Sequence, residues 1–317
     1  RLFLLTRIIT LLLALAAFAL LGWALSREFT PLRRVDLPLL LAFPQVLLLA
    51  GAVNYDGLLT LFGTLFFAAV LRLAAGGRRW WLGGLLAGTS GAVLTKRAGW
   101  LFFAFLFLLP PLLRRRGGWL RAISFLTLGG VAFAWLTWLF PATFALRVSD
   151  LFVSLAAMTD PSVAGVPMTG GAYFAFLGKS FVYCFGGIWH LLPPGWYLLY
   201  GLVFCAALLG CLRACREPAT RKRVVFFVLT LVAQIGAIWL FYGRIGHYAQ
   251  GRYFFPWLLP ICYLLGLGLT RLLSPRHDRS PLPASLFLLQ VAANAYVLTV
   301  LIPSFAYLGR LPAPGGI

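Results

Sequence analysis

Acidic residues are what this sequence has least of: seven Asp and Glu in 317 residues, against 27 Lys and Arg. Charged residues of either sign make up only 11% of the chain. A soluble globular domain of this length carries roughly a quarter. Cysteine is scarce too. Cys184, Cys205, Cys211, Cys215 and Cys262 show no CxxC spacing, and most sit inside apolar runs, where a thiol acts as a small hydrophobe. Cys211 and Cys215 share a helical face, but no His or carboxylate stands near to complete a metal site. The phosphate-binding, dinucleotide, zinc-protease and serine-hydrolase motifs are all missing. These absences exclude separate soluble domains, a disulfide framework and enzymes of those types.

What is present is apolar sequence: 62% hydrophobic residues and a mean hydropathy of +0.92. Runs long enough to cross ~30 Å of hydrocarbon recur along the chain. They predict an all-α, polytopic transmembrane bundle of about ten spans, at 2–25, 37–53, 57–75, 81–95, 98–113, 122–140, 196–213, 224–242, 254–272 and 284–302. The whole of 1–317 reads as one transmembrane domain. The chain starts at Arg1, and 2–25 is too long for the core of a signal peptide. The sequence therefore reads as a piece that follows a missing upstream segment.

The net charge of +20 does not predict nucleic-acid binding. The basic residues lie between apolar runs, as juxtamembrane residues do, and are not gathered on one face. With residue 1 outside, the loops 26–36, 72–80, 114–121, 213–223 and 271–283 are cytoplasmic and hold 18 of the 27 Lys and Arg. That distribution satisfies the positive-inside rule. The stretch 173–192 is apolar enough to pass for an eleventh span. Counting it would turn the basic run RACREPATRKR outward. It reads instead as an interfacial helix within one long outer segment, 141–195.

Polar groups near membrane depth are costly and so mark candidate sites. The outer face has three carboxylates, Asp56, Asp150 and Asp160. Glu28, Asp36, Glu217 and Asp278 fall in cytoplasmic loops and read as solvated charges. Asn54 and Asp56 lie in a tight turn at 54–57, where they could bind a sugar hydroxyl or a divalent cation, or simply cap a helix. Lys96 and Arg97 occupy a second tight turn at 95–99. Outer cations there run against the charge bias, and an anion site built with helix-start amides would explain them. Snorkelling to lipid headgroups is the alternative.

The stretch 242–256 (YGRIGHYAQGRYFFP) is the densest polar cluster. Arg244 and Arg252 suit a bidentate clamp on phosphate, and His247, Tyr248 and Gln250 offer hydrogen bonds to a substrate. An ordinary interfacial loop with an aromatic belt is the alternative. Gly83, Gly84, Gly88 and Gly91 make small-xxx-small patterns that predict helix packing. Arg72 is placed to snorkel to the inner surface.

Three segments in this order, FPQVLLLAGAVNYDGLLTLFGTLFFAAVLRL, GLLAGTSGAVLTKRAGWLFFAFLFLLP and QGRYFFPWLLP, resemble a widespread group of bacterial membrane proteins related to the GT-C glycosyltransferases. Those include protein O-mannosyltransferases and lipid A aminoarabinose transferases. The resemblance covers most of residues 1–272. It implies transfer of a sugar from a polyprenyl-phosphate lipid to an acceptor on the outer face of the bacterial inner membrane, by inverting displacement. Lys96, Arg97, Arg244 and Arg252 would then hold the phosphate, and Asp56 would match the Asn-x-Asp position. Such enzymes carry their catalytic acid after the first span, so helix 2–25 would match the second span and the expected base would lie upstream. Two alternatives remain open: a transporter or flippase for a lipid-linked or anionic substrate, and a non-catalytic protein that binds polyprenyl phosphate. Inverted repeats would favour transport, and none is evident.

Overall fold

A computed structural model describes residues 2–29, 56–76, 80–109, 118–159, 170–182, 192–240, 251–272 and, near the end, 291–292, 294–297 and 299. Among the described residues there is no strand. The helices are α1 (Leu2–Ser26), α2 (Asp56–Ala74), α3 (Trp81–Thr95), α4 (Trp100–Phe105), α5 (Gly118–Leu139), α6 (Pro141–Thr159), α7 (Gly170–Val182), α8 (Pro194–Ala214), α9 (Pro218–Ile238) and α10 (Leu258–Leu272). Proline opens α6, α8 and α9. Its missing N–H costs nothing in a first turn, and its fixed φ is already helical.

Four stretches among the described residues are long and apolar enough to cross a membrane: Ile8–Ser26, Asp56–Ala74, Pro194–Ala214 and Tyr253–Leu272. The expected span 37–53 and most of 284–302 lie outside the described residues. The expected span 98–113 arrives in pieces: a 3-10 turn at Arg97–Gly99, then α4, then a second 3-10 turn at Leu106–Leu108. The expected span 254–272 likewise opens as a 3-10 segment, Gly251–Trp257, with Pro256 inside it. Proline cannot donate to a helical ladder, and the regular helix starts just beyond it. The stretch 141–195, expected to be one outer segment, contains α6 and α7, and α5 and α6 meet at a bend of 117°.

Helix α2 is the centre of the bundle. It packs on α1, α3, α10 and the 251–257 segment. Phe66 and Phe67 of α2 meet Phe102, Phe105, Phe227 and Trp257, all buried. The Phe66–Phe102 and Phe67–Phe227 rings make edge contacts with centroids 5.2 and 5.9 Å apart. Such pairs add ~0.5–1.5 kcal/mol each beyond the area they bury.

Inside a bilayer, close approach between helices matters more than the hydrophobic effect, and glycine provides it. A Cβ on Gly88 would stand 2.7 Å from the Phe66 amide nitrogen, and one on Gly91 would strike the Phe62 ring. Gly84 makes ordinary contacts across the same interface, whereas Gly83 faces open space. The expected packing role therefore holds for three of the four. Gly210 of α8 and Gly268 of α10 lie backbone against backbone, with the position of a Gly210 Cβ only 2.8 Å from the Gly268 Cα.

Helices α1 and α2 run parallel. Thr10 lies beside Gly57 near their starts, and the Arg72 guanidinium lies 5.7 Å from the Trp23 ring centre near their ends. The bundle thus has an Asp56 end and an Arg72 end. Apolar side chains cover its outside: Trp138 is 80% exposed, Leu198 and Phe152 65%. On a water-soluble monomer such surface would be a liability, and here it is the face turned to lipid. The protein is a multi-pass helical membrane protein.

Candidate functional site

The site forms where three chain breaks meet at the Asp56 end. Asp56 is the first residue of α2, where a carboxylate complements the positive end of the helix dipole. It is only 4% exposed. A carboxylate so buried needs a partner of opposite charge, and α3 supplies it.

Helix α3 ends at Thr95, and Lys96 turns extended (φ −155°, ψ 148°) while its N–H still bonds Ala92 O. The Gly99 N–H closes the turn on Lys96 O at 2.8 Å. Gly99 presses on the Ala92 backbone, and any Cβ there would clash with it. The tight turn read from the sequence at 95–99 is present, and it aims Lys96 back at α2. Lys96 Nζ donates to Asp56 Oδ1 at 2.9 Å, with the two side chains 12% and 5% exposed. Nζ also lies 5.0 Å from the centre of the Tyr253 ring, within cation–π range.

Two further helices brace this pair. Gln234 of α9 donates through Nε2 to Tyr253 O at 2.7 Å, which ties down the residue beneath Lys96. Its Oε1 is buried with no hydrogen-bond partner among the described residues. Arg147 of α6 reaches the end of α3, with Nε 3.3 Å from Leu94 O and NH2 3.1 Å from Thr95 O. Its NH1 also meets Asp150 Oδ2 at 3.0 Å.

A small, partly open cavity lies beside Asp56. Ala14, Ala17, Phe18, Leu21, Phe255 and Leu258 line it with apolar surface, and Asp56, Gly57, Thr60 and Thr64 line the polar side. The Thr60 hydroxyl donates to Asp56 O at 2.6 Å, so that threonine is satisfied within its own helix.

The structure therefore brings together two of the residues singled out from sequence, Asp56 and Lys96. The backbone of Arg97 follows at once in the 3-10 turn, and that of Arg252 precedes Tyr253 in another. Asn54, Arg244, His247, Tyr248 and Gln250 lie outside the described residues, as does Asp160. Asp150, the other described carboxylate expected on the outer face, is engaged by Arg147. Among the described residues no group of three His, Cys, Asp or Glu is placed to hold a metal.

The sequence reading missed Gln234 and Arg147, although both gave a signal. Gln234 interrupts an apolar run, and Arg147 is a cation in a stretch expected on the face with few. Glu28 departs from its expected role as a solvated charge. Its side chain is 12% exposed and accepts from Arg223 NH1 at 2.7 Å. Arg72 lies over Trp23, with its Nε buried and without a partner among the described residues.

The fold and site define a membrane-embedded helical bundle with a charged pair beside an amphipathic cavity. No protein-family model and no curated protein sequence matches this chain. Among solved structures, the crystal structure of ArnT from Cupriavidus metallidurans in the apo state is similar, with a TM-score of 0.57 at 20% identity. The match covers 97% of this chain and 51% of that one, so this chain spans about half the length of ArnT. The likeness is one of fold.

Proposed function

We propose that this chain is a GT-C-like membrane glycosyltransferase, or the membrane core of one, which moves a sugar from a polyprenyl-phosphate lipid to an acceptor on the extracytoplasmic face of the bacterial inner membrane. The observation that carries the reading is the Asp56–Lys96 pair beside the amphipathic cavity. The apolar wall formed by α1, Phe255 and Leu258 suits an isoprenoid chain, and the charged corner suits its headgroup. The ArnT fold and the sequence resemblance to aminoarabinose transferases point the same way.

In this reading Lys96 and Arg97, with Arg252 and Arg244, hold the donor phosphate, and Asn54, His247, Tyr248 and Gln250 contact the sugar or the acceptor. Cations fixed in a site of low dielectric stabilise charge that develops on a departing phosphate far better than mobile ones in water. The buried pair is already oriented, so little reorganisation is needed when the donor arrives. Asp56, paired with Lys96, is the candidate to take the acceptor proton. Outward orientation of the site follows from the placement of basic residues in the loops assigned to the cytoplasm.

The test is sugar release from a radiolabelled polyprenyl-phosphate sugar by the purified protein, expressed from its whole reading frame. Turnover abolished by Arg252→Ala and by Lys96→Ala supports the reading. Saturable donor binding without turnover in the unmodified protein would leave a lipid-phosphate-binding role. Absence of both would overturn the proposal and favour transport.

A further inference from the structure

Arg147 lies outside the cavity and no role in the proposed chemistry has been given to it, yet its guanidinium touches the last turn before Lys96. The final carbonyls of a helix have no partner within it. Arg147 meets two consecutive ones, Leu94 O and Thr95 O, from a helix more than fifty residues further on. A planar fork of donors is suited to this, whereas an ammonium cannot address two diverging carbonyls in a fixed geometry. Asp150, one turn along α6, holds the remaining edge of the fork. The contact is also electrostatically sound, since a cation at a helix C-terminus complements the dipole.

We infer that Arg147 is a positioning residue: by capping α3 from α6, it fixes the direction in which Lys96 leaves the helix and so keeps Nζ on Asp56 and over Tyr253. Helix α6 belongs to the outer segment and packs on α3 and its following turn. A shift of α6 would pass to Lys96 through one side chain, which would place the phosphate-binding corner under the control of the outer segment. This deepens the glycosyltransferase reading and rests on it for its functional consequence.

The chain offers an internal ruler, because Lys96, Lys179 and Lys222 are its three lysines. Purified wild type and the Arg147→Ala, Arg147→Lys and Asp150→Asn variants would be exposed to an amine-acetylating reagent, and the rate at each lysine followed by mass spectrometry. Lys96 is expected to react on the order of tenfold faster in Arg147→Ala, as a locally opened segment does. Arg147→Lys should give a smaller increase and Asp150→Asn the least, with Lys179 and Lys222 unchanged in all.

In the transfer assay, Arg147→Ala should raise the donor KM roughly tenfold and lower kcat as well, because Lys96 both binds the phosphate and stabilises the charge that develops on it. Mere loss of folded protein would lower the apparent kcat and leave KM alone. Unchanged Lys96 labelling in Arg147→Ala, or equal acceleration at all three lysines, would overturn the inference. If Arg147→Ala does not fold, the ranking of Arg147→Lys above Asp150→Asn decides the matter. Wild type that transfers no sugar would sink the glycosyltransferase reading, while the labelling would still decide whether Arg147 positions Lys96.

Discussion

The two ends of the bundle use the same residue types to different effect. At the Asp56 end, one carboxylate and one lysine are withdrawn from solvent and braced by neighbours on two further helices and a turn. At the Arg72 end, Glu28 pairs with Arg223, and Glu217 pairs with Arg271 and Thr220. The Arg271–Glu217 pair is 42% and 52% exposed. Those contacts join the ends of α1, α9 and α10, and none borders the cavity. One end spends burial on a charged corner beside a cavity. The other uses charge as an outer fastening over a core held by ring packing and by the close Gly210–Gly268 contact. That difference is why the Asp56 end is the candidate site.

The sharpest way to break the comparison is to remove one partner at each end. Lys96→Met removes the buried ammonium that Asp56 faces, and breaking a buried pair should cost about 3–5 kcal/mol. It should appear as the largest fall in thermal midpoint of the detergent-solubilised protein. Asp56→Asn in that background should restore much of the loss. If Lys96→Met were neutral, the pair would not be buried as described.

Next in size, Gly268→Val should destabilise by roughly 1–3 kcal/mol, the cost of overpacking, because its side chain must displace the Ala207 backbone. Gly83→Val, which meets open space, is the control and should be nearly silent. Arg223→Ala should cost around 2 kcal/mol, as for a hydrogen-bonded charge half withdrawn from water. Glu217→Gln should cost less than about 1 kcal/mol and lose even that in high salt, since exposed pairs are weak and screened. A reversal of the last two would mean that exposure does not rank these fastenings.

Much of this was legible in the sequence, for identifiable reasons. Apolar runs of membrane length gave α1, α2, α8 and α10, because bilayer thickness fixes how many residues a span needs. The TKRAG turn and the packing glycines were readable because each leaves a local chemical signature. The pairing of Asp56 with Lys96 was not, since the two are forty positions apart and nothing local signals that α2 and α3 bring them together. Each was singled out separately, one as a cap or ligand and the other as an anion site. Arg147 and Gln234 were missed for the same reason: they act on carbonyls of distant segments, and a backbone acceptor carries no sequence mark. Glu28 was misjudged because a basic neighbourhood looks the same whether the acid is solvated or locked to Arg223.

The measurement closest to the central claim separates the two halves of the charged corner. Binding of radiolabelled polyprenyl phosphate and turnover of its sugar-bearing form would be measured in parallel for wild type, Asp56→Asn and Lys96→Met. The account predicts that Asp56→Asn binds the phosphate as tightly as wild type or tighter, because Lys96 is released from its carboxylate, while turnover falls about a hundredfold or more. Lys96→Met should lose binding and turnover together. Equal losses of binding in both variants would mean that the pair only holds α2 to α3, and the site would have to be sought elsewhere.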